Sequence, residues 1–327
     1  MRVQKQSHSF QSNTQLPTLS NANTCTGTQR CFDGKTFKQT ADPLHDIEKG
    51  PLVLNAQNYP SITSFVFSSC EWIQCSASSG GAISLSNSAA DLQIDRCKFF
   101  SCEASARFGG GIYAQPARIM HITFSLFDAC KAPSGVVESD GGGAIWAYTI
   151  GEEILILTTE FTSCFAEYDS GGVNLRNSYA KLGNEKTFQN CRFMNCTGKN
   201  DGGAVLVWWN NYNVAFTNTL FYNCSSLVSG AIEESLSQPV SNVVFFCFFN
   251  QNTGTYGDDF AFNITLPDNN NYLLYSFTTT TSRKVGDFST PPWKSIYVNW
   301  VPHAGNSFLH SENKKNTRQF FINEYIH

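Results

Sequence analysis

The sequence predicts an all-β chain wound as a single right-handed parallel β-helix of about seven coils. Three observations carry this. An aromatic residue followed three positions later by Cys or Asn recurs seven times. A glycine pair followed by a short apolar alternation recurs between those anchors. The composition, with 27 Phe and only 15% charged residues, favours strands and turns over helices.

The anchors are Trp72, Phe99, Phe127, Phe161, Phe193, Phe221 and Phe249, and their partners are Cys75, Cys102, Cys130, Cys164, Cys196, Cys224 and Asn252. Successive anchors are 27, 28, 34, 32, 28 and 28 residues apart by subtraction. Two positions before each anchor lies a small, weakly polar residue: Cys70, Cys97, Ser125, Thr159, Cys191, Thr219 and Cys247. Five positions before it lies an apolar one: Phe67, Ile94, Ile122, Ile156, Phe188, Phe216 and Val244. The column seven before is looser, with Phe65, Leu92, Met120, Ile154, Lys186, Val214 and Asn242.

After each partner comes the glycine signature. It reads GGAISL from Gly80, GGGIYA from Gly109, GGAIWA from Gly142, GGVNL from Gly171 and GGAVLV from Gly202, with degraded copies from Ser229 and Gly257. Period-two alternation marks strands on both sides of the anchor. The glycines permit a tight bend. An aromatic and a partner three apart cannot share one face of a flat strand, so a corner lies between them. Stacked at about 4.8 Å per coil, equivalent residues form interior ladders of like on like.

The two longer coils place extra residues at about 133–139 and 178–185, in turns that project from the solenoid. Residues 1–50 are expected to form a polar tail and a cap, with Leu52 and Leu54 opening a partial coil. Residues 51–263 hold the repeats. Residues 264–327 are expected to form a C-terminal cap and polar tail, since an open solenoid end exposes strand edges.

Glycine-glycine-Ala-[Ile/Val] alternating with Phe-x-x-[Cys/Asn] resembles the polymorphic membrane protein repeats of chlamydial autotransporters and related β-helix families of parasitic protists. The resemblance covers about Phe65 to Phe262. It implies a pectin-lyase-like fold displayed outside the cell, with adhesion to a glycan or a host or cell-surface protein as the role. No signal peptide, anchor or barrel is visible in the chain, so a cytoplasmic location stays open beside the surface one.

The formal net charge of −4 and the lack of basic clusters give no electrostatic reason to bind nucleic acid. No apolar run reaches the length of a membrane span. Ladder cysteines read as small buried hydrophobes, with disulfide and metal readings behind; no paired His follows at zinc spacing, and no cofactor is expected. Cys25 and Cys31, outside the ladder, are the expected bonded pair.

Asp140, Asp169 and Asp201 each precede glycines in successive coils, and Asp258 and Asp259 lie in the corresponding later turn. Stacked carboxylates about 5 Å apart suit a retaining glycosidase or Ca²⁺, whereas Asp beside Gly is also simply a good turn residue. Tyr113 and Trp146 are expected outward on the glycine strand, and Trp208, Trp209 and Asn210 outward or in a loop; aromatic faces beside Asn suit sugar rings or a protein partner, or pack under a loop. Only His121 among the histidines lies within the repeats, and no nucleophile elbow or phosphate loop appears. The sequons at Asn195 and Asn223 read as chance matches beside buried cysteines, leaving Asn263. The leading expectation is therefore a noncatalytic adhesion or structural β-helix. The alternatives are a carbohydrate-active lyase or hydrolase using acidic residues on one face, and an intracellular scaffold.

Overall fold

The computed structural model describes residues 25, 27–41, 47–55, 57–86, 90–133, 141–176, 185–210, 213–236, 243–245, 247–255, 260–264, 273–277, 285–287 and 296–300. Among these there is no helix, and the paired strands run parallel. The chain is a parallel β-solenoid.

Each coil has three walls. The anchor wall carries Glu71–Ile73, Lys98–Phe100, Leu126–Asp128, Glu160–Thr162, Arg192–Met194, Leu220–Tyr222 and Phe248–Asn250. A short third wall follows each partner cysteine and has five strands, from Ser76–Ala77 to Thr197–Gly198. Beyond it only single bridges continue, at Ser225 and Thr253. The solenoid thus has about five complete turns, fewer than the anchor count predicts, because the third wall frays before the anchor wall does. The large first wall joins the glycine strands to those leading into the anchors. In two coils these fuse into single strands, Ile112–Thr123 and Ile145–Leu157, kinked by register shifts near Ala117.

The register is the predicted one: Phe99 pairs with Phe127, and Phe127 with Phe161. Eight rings from Phe37 through Trp72 to Phe249 stack without a break, with centroids 4.3–5.1 Å apart and near-parallel planes. All eight are essentially solvent-free. Offset stacking adds to area burial here, since parallel in-register strands deliver one ring per layer.

Paired strands begin earlier than Leu52. Gln29–Asp33 pairs with Ser64–Ser68, and Thr36–Lys38 with Glu71–Ile73. Phe32 and Phe37 occupy the interior columns of Phe67 and Trp72, so the expected cap contains a partial coil. Cys25 and Cys31 are disulfide-bonded at its edge.

Among the described residues, the anchors from Trp72 to Phe221 are flanked on both sides by a left-handed residue, and Phe249 on its C-terminal side. One corner column is Ser69, Arg96, Phe124, Thr158, Asn190 and Asn218; the other is Gln74, Ser101, Ala129, Ser163, Asn195, Asn223 and Gln251. Their φ values lie between 48° and 58°. A non-glycine residue pays about 1–2 kcal/mol for this conformation. The corner amides offset part of it by bonding to the next coil, as Ser69 N–H does to Asp95 O at 2.9 Å and Gln74 N–H to Phe100 O at 2.8 Å.

The corners interrupt the regular ladder, and the small polar columns repair it. Cys97 N–H donates to Ser125 Oγ at 3.1 Å, and Ser125 N–H to Thr159 Oγ1 at 3.5 Å. Each of these side chains in turn donates to the carbonyl two residues back: Cys97 Sγ to Asp95 O, Ser125 Oγ to Thr123 O, Thr159 Oγ1 to Leu157 O. In the partner column the thiols of Cys130, Cys164, Cys196 and Cys224 reach the anchor carbonyl of the preceding coil at 3.5–3.6 Å. Ten cysteines are free and buried. Their role is a compact donor and acceptor inside the corner.

Candidate functional site

The outer face of the glycine wall gathers the unusual chemistry. Interior positions of this wall are apolar, Ile112, Ile145, Val173 and Val205 in one column. The residues between them point outward and form a second column, Tyr113, Trp146, Asn174, Leu206 and Glu233, in consecutive coils.

The glycines bring the preceding turn onto this face. Gly109 has φ +61°, and a Cβ on Gly110 would sit 2.3 Å from the Gly143 carbonyl oxygen. One glycine therefore serves the turn and the next serves close approach between coils. The turn delivers Phe108 against Trp146, 4.4 Å between centroids, and against Tyr113, 5.6 Å. Tyr113 and Trp146 stack at 5.2 Å, and Tyr148 flanks Trp146 at 6.2 Å. The Tyr113 hydroxyl bonds to the Gln115 amide oxygen. Burial raises the Tyr113 phenol, against the pull of Arg107.

Trp146 does point outward, but it is only 3% exposed, because the Phe108 ring covers it. The expected exposed indole is a floor, with Phe108, Tyr113 and Tyr148 half-buried around it. Trp208 is outward and half-buried, with the Arg176 guanidinium 4.8 Å above its ring. Trp209 and Asn210 lie on the strand Val205–Asn210, and their side chains are outside the described residues.

The acidic residues fall into two groups. Asp140, Asp258 and Asp259 lie outside the described residues. Asp169 and Asp201 occupy equivalent turn positions in consecutive coils, since Val173 pairs with Val205. The register puts Gly141, not Asp140, opposite Asp169: Ile145 pairs with Val173, and a Cβ on Gly141 would meet Asp169 Cβ at 2.4 Å. The described member of the ladder in that coil is therefore a glycine.

Asp169 is fully buried, which corrects any reading of it as an open catalytic carboxylate. Its Oδ2 accepts from Asn174 Nδ2 at 2.7 Å and from Arg176 Nη2 at 2.6 Å. Asp201 faces it as a hydrogen-bonding neighbour, although Asp169 Oδ1 has no well-aligned donor. Burial raises the Asp169 carboxyl, against the pull of Arg176. Glu233, 2% exposed, completes the cluster; burial first, then Asp201 and Asp169, push its carboxyl well above the usual range. Among the described residues no three His, Cys, Asp or Glu side chains are placed to hold a metal ion.

Asn174, Arg176, Glu233 and Phe108 were not singled out from the sequence. The available signal was polar residues inside the glycine motif, in GGVNLR and SGAIEE, where other coils carry apolar or small ones. Lys186 was visible as a misfit in its column and is indeed fully buried there; burial pulls its amine down to about 8. The sequons at Asn195 and Asn223 sit at the anchor corners, as their place in the repeat implies. The neighbouring cysteines are buried, but both asparagines are exposed at left-handed corners and bonded to each other at 2.8 Å.

No family model, curated protein or solved structure matches the chain. No described helix is long and apolar enough to cross a membrane.

Proposed function

We propose that this chain is a noncatalytic β-solenoid displayed at a cell surface, adhering to a glycan or a protein through its outer walls and projecting turns. The observation that carries the reading is the closure of the acidic cluster. Asp169 is buried and engaged by Asn174 and Arg176, and Glu233 is buried beside it. Hydrolysis or elimination on a sugar needs carboxyls open to substrate. What the same wall offers to solvent is half-buried Phe108, Tyr113 and Tyr148, with Arg107 exposed over the Phe108 ring at 6.0 Å. Aromatic edges beside a cation suit recognition more than chemistry. The Cys25–Cys31 disulfide favours an oxidising compartment, in line with surface display.

The test is binding of the purified solenoid to a glycan array and to whole cells. Phe108→Ala with Tyr113→Ala is expected to abolish binding without loss of the β-sheet circular dichroism signal. Equal binding by the double variant retires the aromatic face as the adhesive surface. Turnover of a polysaccharide by the wild-type protein would replace adhesion with catalysis.

A further inference from the structure

We propose that Asp169, Asp201 and Glu233 form a proton-holding latch on the outer face of the glycine wall, closing successive coils while protonated and loosening them when the protons leave. The inference stands apart from adhesion and concerns how this wall is held shut.

The geometry is that of three carboxyls from three consecutive coils. Asp169 comes from the turn before Val173–Arg176, Asp201 from the turn before Val205–Asn210, and Glu233 from Ile232–Leu236. The other groups facing them from these elements are Asn174, Arg176, Leu206 and Trp208. Arg176 is the one described cation among them, and it is committed to Asp169 and to the Trp208 ring. The charges that bear on Glu233 are Asp201 and Asp169, both repelling its anion.

Three buried acceptor atoms have no donor: Asp169 Oδ1, Asn174 Oδ1 and Glu233 Oε2. Leaving ionised carboxylates in such a place is costly, and a group so placed neutralises instead. Asp169 and Glu233 are both buried, with half-buried Asp201 beside them, and like charges so placed do not all ionise, so the cluster keeps a proton. A protonated Glu233 also supplies a donor where acceptors are in surplus. A hard divalent cation is the other way to balance the charge, but these side chains are not placed as a ligand set.

The direction of the pH effect follows. Glu233 in the folded chain holds its proton above the value of about 4.3 expected when unfolded. The folded state therefore binds more protons, and its advantage is complete below pH 4.3 and is lost as pH rises through the folded value. Lys186, whose amine burial pulls down to about 8, is common to wild type and variant and drops out of their difference.

The experiment is urea unfolding of the full chain from pH 5 to pH 7.5 at fixed ionic strength. In wild type the folding equilibrium constant is expected to fall with pH, by up to about tenfold per pH unit for each extra proton held. Glu233→Gln should flatten the profile and equal or exceed wild type at pH 7.5. The wild-type minus variant difference removes other ionisable groups, His121 included. If Glu233→Gln does not fold, Asp201→Asn and the infrared band of a neutral carboxyl in wild-type protein at pH 7 decide. A difference that does not change with pH, or the absence of that band, overturns the proposal. So does a calcium-dependent rise in stability that Glu233→Gln removes, which would make the cluster a cation site.

Discussion

The amide of Cys224 donates to Oδ1 of Asn252 at 2.9 Å, and Asn252 Nδ2 returns a bond to the Phe221 carbonyl at 3.2 Å. The second bond is the one that the Cys224 thiol makes to Phe193 O one coil earlier, at 3.6 Å. Asn252 can replace the cysteine of the six other coils at this column because both are small enough for the corner and both can donate to the anchor carbonyl.

Replacement by Asn should therefore be mild and replacement by a larger apolar residue should not. Cys224→Asn is expected to change stability by less than about 1 kcal/mol. Cys224→Leu is expected to cost about 1–3 kcal/mol from overpacking, plus the lost donor. Urea midpoints at constant slope measure both.

The buried thiols should be silent in the native protein. Burial pushes the Cys191 thiol up to about 12, and ten cysteines are free and buried. A thiol reagent at pH 8 is expected to modify fewer than one of these ten per native chain within the time in which denatured chains react at all ten. Rapid native modification would mean that the ladder opens.

Thr158 is a β-branched residue at φ 49°, exposed, in the column where Asn190 and Asn218 bond to each other at 2.7 Å. Asn tolerates this conformation better. Thr158→Asn should stabilise by about 1 kcal/mol, and thermal denaturation would show it. A lowered melting temperature would mean that Thr158 has a packing role its exposure conceals.

Gly110 meets its neighbours without room for a side chain: a Cβ would lie 2.3 Å from Gly143 O and 2.4 Å from Lys131 N. The atoms in the way are backbone. Gly110→Ala should destabilise by more than about 2 kcal/mol, by overpacking against atoms that cannot move alone. Little loss would indicate that adjacent coils separate easily.

The interior was legible because stacking repeats one chemistry per column, so Phe99, Phe127 and Phe161 identify each other. The partial coil of Phe32 and Phe37 was missed because Thr40 stands where the other coils carry Cys or Asn. Corners were illegible for another reason. Arg96, Phe124, Ala129 and Thr158 share a backbone conformation and no side-chain property, since the conformation is imposed by the stacked walls on either side. The outer site depends on register at the level of single residues. Gly141 stands opposite Asp169, where the sequence suggested a carboxylate, and one ring from the preceding turn, Phe108, turns an outward Trp146 into a buried one.

Winding is most directly tested by pulsed electron spin resonance distances between labels at exposed corner positions. With one label at Ser69 and the other at Thr158, Asn190 or Asn218, separations along the axis should rise in steps of about 4.8 Å, from roughly 14 to 19 to 24 Å. The same three pairs are 89, 121 and 149 residues apart by subtraction. Distances that do not climb by one strand spacing per coil would contradict the stacked solenoid.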